Sequence, residues 1–384
     1  MTTRLLLSCG EASGDLYAGA LTRALRAIDS TATIAGLGGP RFAAAGGQLV
    51  DDYHGLSVTG LTEAIAKLPR SWSTLRRLVA SAARDRPDAL VVVDFPDFNF
   101  PLARRVKRLG IPVVYYISPQ IWAWRPGRLK TIREIADLVL VIFPFEEKIY
   151  RDAGIPVEFV GHPLVDLVQP TEPKDAFRRR HGLSPDAPTI AMLPGSRPNE
   201  VTRILPTLLA AAERIRGRVA GAQFAIARAP SLDDHLFDAV RAARFAPMAL
   251  VDGDTDGVLA AADVALTASG TATVQTALHD TPMVVVYKLS PLTYRLGRPL
   301  VRLDTFGMVN LIAGEKIVPE LIQDACTPGA VADEAVSMLT DPARAALVRT
   351  GLARVRERLG APGASRRAAE AILRLVSSRR GAGV

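Results

Sequence analysis

The chain has few cysteines and no long apolar run, and these two features argue against several classes of protein. Among its 384 residues only Cys9 and Cys326 are cysteines, far apart and without metal-ligand spacing. A disulfide framework and a zinc site are therefore poorly supported, and a reducing cytoplasm is expected. No uninterrupted apolar segment approaches the ~18 to 20 residues of a membrane-spanning helix, so any membrane contact should be peripheral. The apolar run Leu5–Leu7 is far shorter than a signal-peptide core and fits a first core strand.

Metal-binding patterns are also scarce. The five histidines form no H-x-x-x-H pair. The segment Asp252–Asp263 has the acidic and glycine spacing of a calcium loop, but residues typical of strands precede and follow it, whereas an EF-hand needs a helix on each side. We therefore expect no metal and no cofactor.

Basic residues outnumber acidic ones. The formal net charge is +8, from 47 Lys+Arg against 39 Asp+Glu, which favours anionic partners such as nucleotides, phospholipid surfaces or nucleic acid. The arginines are scattered among amphipathic helical patterns without a recognised binding module, so we expect no nucleic-acid partner. Arginines of the segment Arg70–Arg86, beside Leu75 and Leu78, fit either a solvated helix face or contact with an anionic bilayer.

Apolar strand patterns alternate with helical patterns along most of the chain. The predicted strands are Leu5–Cys9, Thr33–Leu37, Ala89–Asp94, Pro112–Ile117, Leu138–Ile142, Val157–Val160, Thr189–Leu193, Gln223–Ala227, Ala249–Val251, Val264–Thr267 and Met283–Tyr287. Continuous apolar strands predict parallel sheets that are covered on both faces. The predicted class is α/β, with two Rossmann-like doubly wound parallel-sheet domains that face each other across a cleft.

A segment rich in proline and charge separates the two series of strands. We predict an N-terminal Rossmann-like domain over 1–168, a linker over 169–187 and a C-terminal Rossmann-like domain over 188–362. Residues 363–384 form a predicted C-terminal helix that can pack back on the N-terminal domain. Because parallel sheets bind ligands beyond the carboxyl ends of their strands, functional residues are expected on the loops that follow strands.

Two segments of the second series combine a strand, small residues and a helix. In LPGSRPNE, Gly195 and Ser196 precede Arg197, and in TASGTATVQTAL the helix begins around Ser269–Thr271. Small residues let a ligand approach the backbone, and a helix N-terminus favours an anion such as a diphosphate. Arg197 adds a permanently charged donor for phosphate oxygens. Each motif alone is equally typical of an ordinary βα turn, but the two together favour phosphate binding.

Acidic and amide side chains follow two strands of the first series. Glu11 follows the first strand, in a loop better suited to sugar hydroxyls or a catalytic group than to phosphate. Asp94 continues another strand and is expected to be a structural hydrogen-bonding residue. Asp97 and Asn99 are expected on the next loop, where a carboxylate can accept a proton from an attacking hydroxyl. Ordinary turn chemistry explains both residues equally well.

In their order and spacing, the motifs GEASGD, DFPDFN, YYISPQIWAWR, GHPLVD, LPGSR, SGTAT and MVNLIAG closely resemble the lipid A disaccharide synthase family over nearly the whole chain. The resemblance implies an inverting, metal-independent GT-B glycosyltransferase. It would join UDP-2,3-diacylglucosamine to 2,3-diacylglucosamine 1-phosphate, giving the β-1,6-linked disaccharide 1-phosphate and UDP. The resemblance also implies a peripheral protein on the cytoplasmic face of the inner membrane, in contact with anionic lipids, and dimers formed through the C-terminal domain.

The same resemblance assigns residues. Asp97 matches the family aspartate proposed as the catalytic base, and Glu11 matches a family glutamate in the first loop. The residues matched to the UDP-sugar side are Gly195, Ser196, Arg197, Ser269, Gly270, Thr271 and Asn310. Gln275 departs from the pattern, because related sugar-nucleotide enzymes have a glutamate there that bonds the ribose hydroxyls; glutamine can accept one such bond, without charge. Another GT-B enzyme that uses UDP-N-acetylglucosamine, a transferase or an epimerase, is the alternative.

Overall fold

A computed structural model of the chain describes residues 2–54, 56, 61–119, 127–170, 172–289, 305 and 307–381, with the backbone alone over 61–67. Trp122 and Trp124, for which the sequence left a core role and an apolar channel both open, lie outside these residues. The chain divides into two compact units. The first contains the segment up to Asp166 together with the segment from Leu359 onward. The second is formed by residues between these two segments in the sequence.

Strands and helices alternate, and every strand is parallel to its neighbours. The strands are β1 Arg4–Cys9, β2 Thr33–Gly38, β3 Gln48–Asp52, β4 Ala89–Val93, β5 Val113–Tyr116, β6 Leu138–Val141, β7 Val157–Phe159, β8 Thr189–Leu193, β9 Gln223–Arg228, β10 Met248–Asp252, β11 Val264–Ala268, β12 Met283–Tyr287 and β13 Glu320–Ile322. The α-helices described are α1 Ala12–Ile28, α2 Pro40–Ala44, α3 Leu61–Asp85, α4 Pro96–Lys107, α5 Arg128–Ile135, α6 Pro144–Asp152, α7 Leu164–Leu167, α8 Lys174–Arg180, α9 Pro198–Arg218, α10 Asp238–Ala242, α11 Thr255–Ala260, α12 Thr271–Leu278, α13 Met308–Ala313, α14 Pro328–Thr340, α15 Pro342–Arg358 and α16 Ala364–Gly381. None of these helices is long and apolar enough to cross a bilayer.

The two units each contain one sheet. The strand order is β3-β2-β1-β4-β5-β6-β7 in the first and β10-β9-β8-β11-β12-β13 in the second. Inner strands such as β4 and β8 are buried along their whole length, as expected for parallel strands with helices on both faces. The predicted α/β class with two doubly wound parallel sheets is therefore confirmed.

In helix α1, the spacing of Tyr17, Leu21, Leu25 and Ile28 predicts one apolar face packed against the sheet. Tyr17, Leu21 and Leu25 are buried, and burial of each of the two leucines contributes about 1.5–3 kcal/mol relative to exposure. Ile28, predicted on the same face, is 44% exposed because it is the last residue of the helix. The prediction for Ile28 was wrong.

Two further differences concern short segments. The edge strands β3 and β13 were not predicted, because their residues are only half-buried and lack a continuous apolar run. The segment 231–244 was predicted as one helix, but Asp233 is extended, and only a 3-10 turn over Asp234–Phe237 and the short helix α10 follow it.

The predicted linker and the predicted C-terminal helix each pack within one of the two units. Residues 169–187, predicted as a linker, contain helix α8 of the second unit, where the buried Arg178 donates to the carbonyl of Ala261 and to Asp263. Helix α16 belongs to the first unit. Three of its arginines form ion pairs there: Arg374 with Glu158, Arg379 with Asp137 and Arg380 with Asp88.

Candidate active site

Each sheet reverses its strand order at one position, between β1 and β4 in the first unit and between β8 and β11 in the second. The loops after β1 and β4 lead to Glu11 and Asp97, and the loops after β8 and β11 contain Arg197 and Ser269. Doubly wound sheets bind ligands at the carboxyl ends of the strands that flank such a reversal. Each unit therefore has its own candidate ligand site, and the matched loop residues lie at it.

The turn between β4 and α4 is strained. Asp94 and Phe95 both have left-handed backbone conformations, with φ of 43° and 49°, which is unusual for two successive residues other than glycine. The Asp94 carbonyl accepts hydrogen bonds from Asn99 Nδ2 at 2.7 Å and from the Tyr115 hydroxyl at 2.9 Å. This tight turn starts α4 at Pro96, so Asp97 lies in the first turn of a helix. The predicted loop position of Asp97 was therefore wrong.

Asn99, also predicted on the loop, lies in α4 and is fully buried. Its Oδ1 accepts a hydrogen bond from Ser8 Oγ at 2.7 Å, which links the helix to the end of β1. Asp94 likewise does not continue the strand, because β4 ends at Val93. The backbone of Asp94 forms structural hydrogen bonds, and its N–H donates to the Tyr116 carbonyl at 3.2 Å.

The loop after β1 is pressed against the same turn. A Cβ atom at Gly10 would overlap the ring of Phe95, so only glycine fits between the two loops. Glu11 follows directly as the N-cap residue of α1 and is partly exposed. The close approach at Gly10 therefore holds the Glu11 loop next to the turn that precedes Asp97.

The Asp97 side chain is 83% exposed and pairs with Arg128, the first residue of α5. Arg128 itself is only 21% exposed, and its guanidinium lies 5.6 Å from the centre of the Phe100 ring. Sequence reasoning did not identify Arg128. It is 31 positions from Asp97, and the only available signal was its place three residues after the motif YYISPQIWAWR.

Asp15, the other acidic residue of the first loop, is committed to the fold. Its buried carboxylate accepts the N–H groups of Gly39, Arg41 and Phe42 at 2.7 to 3.0 Å, and so caps α2. From the sequence, Asp15 fits either a contact with sugar hydroxyls or the start of its own helix, and the structure uses its carboxylate for α2 instead. Burial and the charge of Asp15 together raise the pKa of nearby Tyr53 to about 12.

In the second unit, Glu200 organises the turn between β8 and α9. Its carboxylate accepts the Ser196 N–H at 3.0 Å and Arg197 Nη1 at 3.1 Å. Gly195 has a φ of +125°, and a Cβ there would overlap the Glu200 side chain. The sequence did not single out Glu200, although it lies in the first turn of α9, three residues after the N-cap residue Arg197.

The turn between β11 and α12 leaves open space beside its backbone. Gly270 is the N-cap residue of α12, and among the residues that the structure describes no atom lies within 4 Å of the position a Cβ would occupy. The N–H of Ser269 is already bonded to the Val286 carbonyl at 3.1 Å, so the N–H groups that could face a ligand begin at Gly270 and Thr271. Gln275 is partly exposed on the same helix, and its side chain bonds to none of the residues described.

Asn310 is buried in helix α13 and its amide is fully used. Nδ2 donates to the Val318 carbonyl at 3.0 Å and to Glu320 at 2.6 Å, while Oδ1 accepts the N–H groups of Ile317 and Val318. These bonds fix the chain between α13 and β13. A direct contact of Asn310 with a ligand would require at least one of them to break.

The acidic segment Asp252–Asp263 is explained by contacts within the unit. Asp254 caps α11 through the Gly257 N–H, and Asp263 pairs with Lys174 and Arg178. Over the ranges that the structure describes, no group of three His, Cys, Asp or Glu side chains is arranged to hold a metal ion.

His162, in the motif GHPLVD, follows strand β7, where the sequence fits either a contact with a ligand or a structural hydrogen bond. It is buried, which lowers its pKa to about 3, and its Nδ1 accepts the Leu164 N–H at 3.1 Å. It is therefore neutral at physiological pH and acts as a structural acceptor.

Comparison with known proteins identifies close relatives. A family model described as lipid-A-disaccharide synthetase matches residues 5–374. Proteins named lipid-A-disaccharide synthase match almost end to end. The protein of Syntrophus aciditrophicus is 44% identical over 373 residues, and that of Myxococcus xanthus is 43% identical over 374, with 97% of each chain covered in both cases.

Solved structures share the fold at much lower identity. A UDP-GlcNAc 2-epimerase from Neisseria meningitidis, solved with UDP-GlcNAc, has a TM-score of 0.68 at 11% identity and covers 97% of this chain and 100% of its own. The calicheamicin glycosyltransferase has a TM-score of 0.62 at 18% identity, with 98% of both chains covered. These matches show that the two doubly wound sheets form the GT-B glycosyltransferase fold.

Proposed function

The chain belongs to the lipid-A-disaccharide synthetase family, and we propose that it joins UDP-2,3-diacylglucosamine to 2,3-diacylglucosamine 1-phosphate with inversion at the donor sugar. The products are the β-1,6-linked lipid A disaccharide 1-phosphate and UDP. The observation that carries this proposal is the match to relatives of this name over 97% of the chain. The matched loop residues at the carboxyl ends of β1, β4, β8 and β11 support it.

We propose Asp97 as the general base. Its carboxylate accepts the proton of the acceptor 6-hydroxyl while that oxygen attacks the anomeric carbon of the donor. The bond between the anomeric carbon and the diphosphate oxygen breaks, and its electron pair leaves with UDP. Because attack and departure take place on opposite faces, the α-linked donor gives a β-linked product. The exposure of Asp97 in the first turn of α4 is compatible with access for a hydroxyl.

The second unit supplies the groups proposed to hold the diphosphate. Arg197 brings a permanent positive charge to the start of α9, and the N–H groups of Gly270 and Thr271 lie at the start of α12. Fixed donors of this kind stabilise the charge that develops on the leaving group without needing to reorganise. Ser196 and Ser269 are proposed to shape the two turns, since their own N–H groups are bonded to Glu200 and Val286.

Three further residues have narrower proposed roles. Glu11 is proposed to bind hydroxyls of the sugar and to orient it for attack, because it follows the strand next to β4. Gln275 is proposed to bond the ribose through its carbonyl. Asn310 is proposed to act on the UDP-sugar side by fixing the loop after α13 through its four hydrogen bonds.

We also propose that the protein binds anionic lipids at the cytoplasmic face of the inner membrane through α3. Leu75 and Leu78, the leucines of the bilayer option in the sequence, are buried and cannot make this contact. The contact is proposed instead for Leu68 and Trp72, which lie one helical turn apart and are each 50% exposed. The Arg105 guanidinium lies 5.4 Å from the Trp72 ring, and Arg76 is exposed one turn further on. Exposed apolar side chains flanked by arginines are typical of helices that lie on anionic bilayers.

Vesicle flotation tests this membrane contact. Leu68→Glu and Trp72→Glu should reduce binding to vesicles that contain phosphatidylglycerol, whereas Leu347→Glu, at an apolar position that is 65% exposed in the other unit, should not. Equal binding by all three variants would contradict the proposal.

We propose a homodimer through the C-terminal domain on the resemblance alone. Light scattering of the purified protein measures its mass in solution and tests this proposal.

Donor specificity separates this function from the alternative, another UDP-N-acetylglucosamine enzyme with a GT-B fold. The likeness to the epimerase rests on 11% identity and supports only the fold, whereas the synthase relatives support the reaction. The test offers acylated and unacylated UDP-glucosamine derivatives together with the acylated acceptor. We expect turnover of the acylated donor and no turnover of the unacylated one. Epimerisation of UDP-N-acetylglucosamine without an acceptor would overturn the proposal.

A further inference from the structure

The proposed base has an unusual setting for a group that must be held in place. Asp97 is 83% exposed in the first turn of α4, where an isolated carboxylate would rotate freely in solvent. Across the ranges that the structure describes, the hydrogen-bond partner of this carboxylate is Arg128, whose Nη2 bonds to Oδ1. Oδ2 has no such partner among the same residues. One oxygen of Asp97 is therefore fixed, and the other is available.

Arg128 is held more firmly than the residue it contacts. Its guanidinium lies over the Phe100 ring, 5.6 Å from the centre, where the negative face of the ring attracts a cation. The buried Phe100 ring in turn packs edge-on against Tyr115 at 6.0 Å. The Tyr115 hydroxyl donates to the Asp94 carbonyl, in the strained turn that starts α4. A connected series of contacts thus runs from the sheet to the Asp97 carboxylate.

We propose that Arg128 is a positioning residue, which holds Oδ1 of Asp97 so that Oδ2 is aimed at the proton of the acceptor hydroxyl. This inference rests on the proposed function of Asp97. A guanidinium is permanently charged and has no acceptor, so Arg128 cannot take the proton itself. Its planar fork fixes the orientation of a carboxylate better than a flexible ammonium does. Misplacing a reacting group by about 1 Å can reduce the rate by about 10²-fold, which sets the size of the expected effect.

The test uses the full-length protein with both acylated substrates. Arg128→Met should lower kcat by about 10²-fold and leave KM for each substrate within about twofold. Arg128→Lys should recover part of the loss, because an ammonium can still bond to Oδ1. Guanidinium ion added to Arg128→Ala should also restore part of the rate. Arg133→Met, at an exposed arginine on the same helix, is the control and should keep wild-type kinetics.

A double-mutant cycle shows whether Arg128 acts through Asp97. If it does, Asp97→Asn combined with Arg128→Met should be no slower than Asp97→Asn alone. A further loss of about 10²-fold in the double variant, or an unchanged kcat with a raised acceptor KM in Arg128→Met, would overturn the inference. The second result would mean that Arg128 binds the acceptor phosphate.

Failure of the inference can be told apart from failure of the proposed function. Wild-type kcat in Asp97→Asn would remove the proposed base, whereas wild-type kcat in Arg128→Met with an inactive Asp97→Asn would remove only the positioning role. Thermal unfolding of each variant confirms that the folded protein is being compared. If Arg128→Met does not fold, Phe100→Leu, which keeps the arginine and removes its aromatic support, should lower kcat with KM unchanged; wild-type kinetics in that variant would contradict the inference.

Discussion

The hydroxyl of Ser8 donates a 2.7 Å hydrogen bond to the amide oxygen of Asn99, 91 positions further along the chain. This bond joins the end of β1 to helix α4, and the same amide donates through Nδ2 to the Asp94 carbonyl. A single buried side chain therefore holds together the two loops that lead to Glu11 and Asp97. The asparagine of the DFPDFN motif supports the candidate site from inside the unit.

Replacing Asn99 should damage both stability and activity. Asn99→Ala leaves the buried Ser8 hydroxyl without its acceptor, at a cost of about 1–3 kcal/mol, while the Asp94 carbonyl keeps its bond from the Tyr115 hydroxyl. Ser8→Ala, which removes one hydrogen bond, should cost about 0.5–1.5 kcal/mol. Urea unfolding measures both values. Equal stability of Asn99→Ala and the wild type would show that the amide does not hold the turn.

Gly10→Ala should lower activity because the new methyl group must displace the Phe95 ring. Overpacking of this kind typically costs about 1–3 kcal/mol, and here the displaced residue belongs to the turn that precedes Asp97. Gly217→Ala in helix α9 is the matched control, because no described residue outside the helix's own backbone lies within 4 Å of the added atom. The control should be neutral or stabilised by up to about 1 kcal/mol. Unfolding and UDP-release assays on both variants check the prediction, which a fully active Gly10→Ala would refute.

Arg197→Ala should fold normally and lose about 10²–10³-fold in kcat, the usual effect of removing one donor from a developing negative charge. Its ion pair with Glu200 is partly exposed, so the loss of that pair should change stability little. Arg203→Ala, at an exposed arginine on the same helix, should retain full activity. Steady-state kinetics compare the two. A wild-type rate in Arg197→Ala would exclude the phosphate role.

Acid should destabilise the first unit through His162. Burial lowers its pKa from 6.5 to about 3, so the folded state favours the neutral ring. The resulting stabilisation is complete above pH 6.5 and is lost as the pH falls towards 3, with a slope of at most about 1.4 kcal/mol per pH unit. His162→Asn keeps an acceptor for the Leu164 N–H and removes the titrating group. Urea unfolding between pH 7 and 5 should show a shallower decline for this variant, and parallel curves would contradict the assignment.

The sequence predicted the sheets better than the details of the site. The strand Thr189–Leu193 was predicted with its observed bounds because a buried parallel strand is a continuous apolar run. The edge strand Gln48–Asp52 has no such run, since it is buried only in part. The left-handed turn at Asp94 and Phe95 has no sequence signature, because neither residue is glycine. That turn is why Asp97 lies on a helix.

The sequence also did not predict the side chains that contact the proposed site residues, because these contacts depend on the tertiary structure. Arg128 reaches Asp97 only because the carboxyl ends of β4 and β5 are adjacent in the sheet, a property of strand order and not of local pattern. Glu200 lies only three residues from Arg197, to which it bonds. Its position did not indicate a role in the site, because acidic residues are common in the first turn of any helix.

The most direct test of the account measures UDP and disaccharide together in one time course, starting from UDP-2,3-diacylglucosamine and 2,3-diacylglucosamine 1-phosphate. The account predicts equal molar amounts of the two products, a β linkage by NMR, and a parallel loss of both in Asp97→Asn. Release of UDP without disaccharide, or an α-linked product, would contradict it.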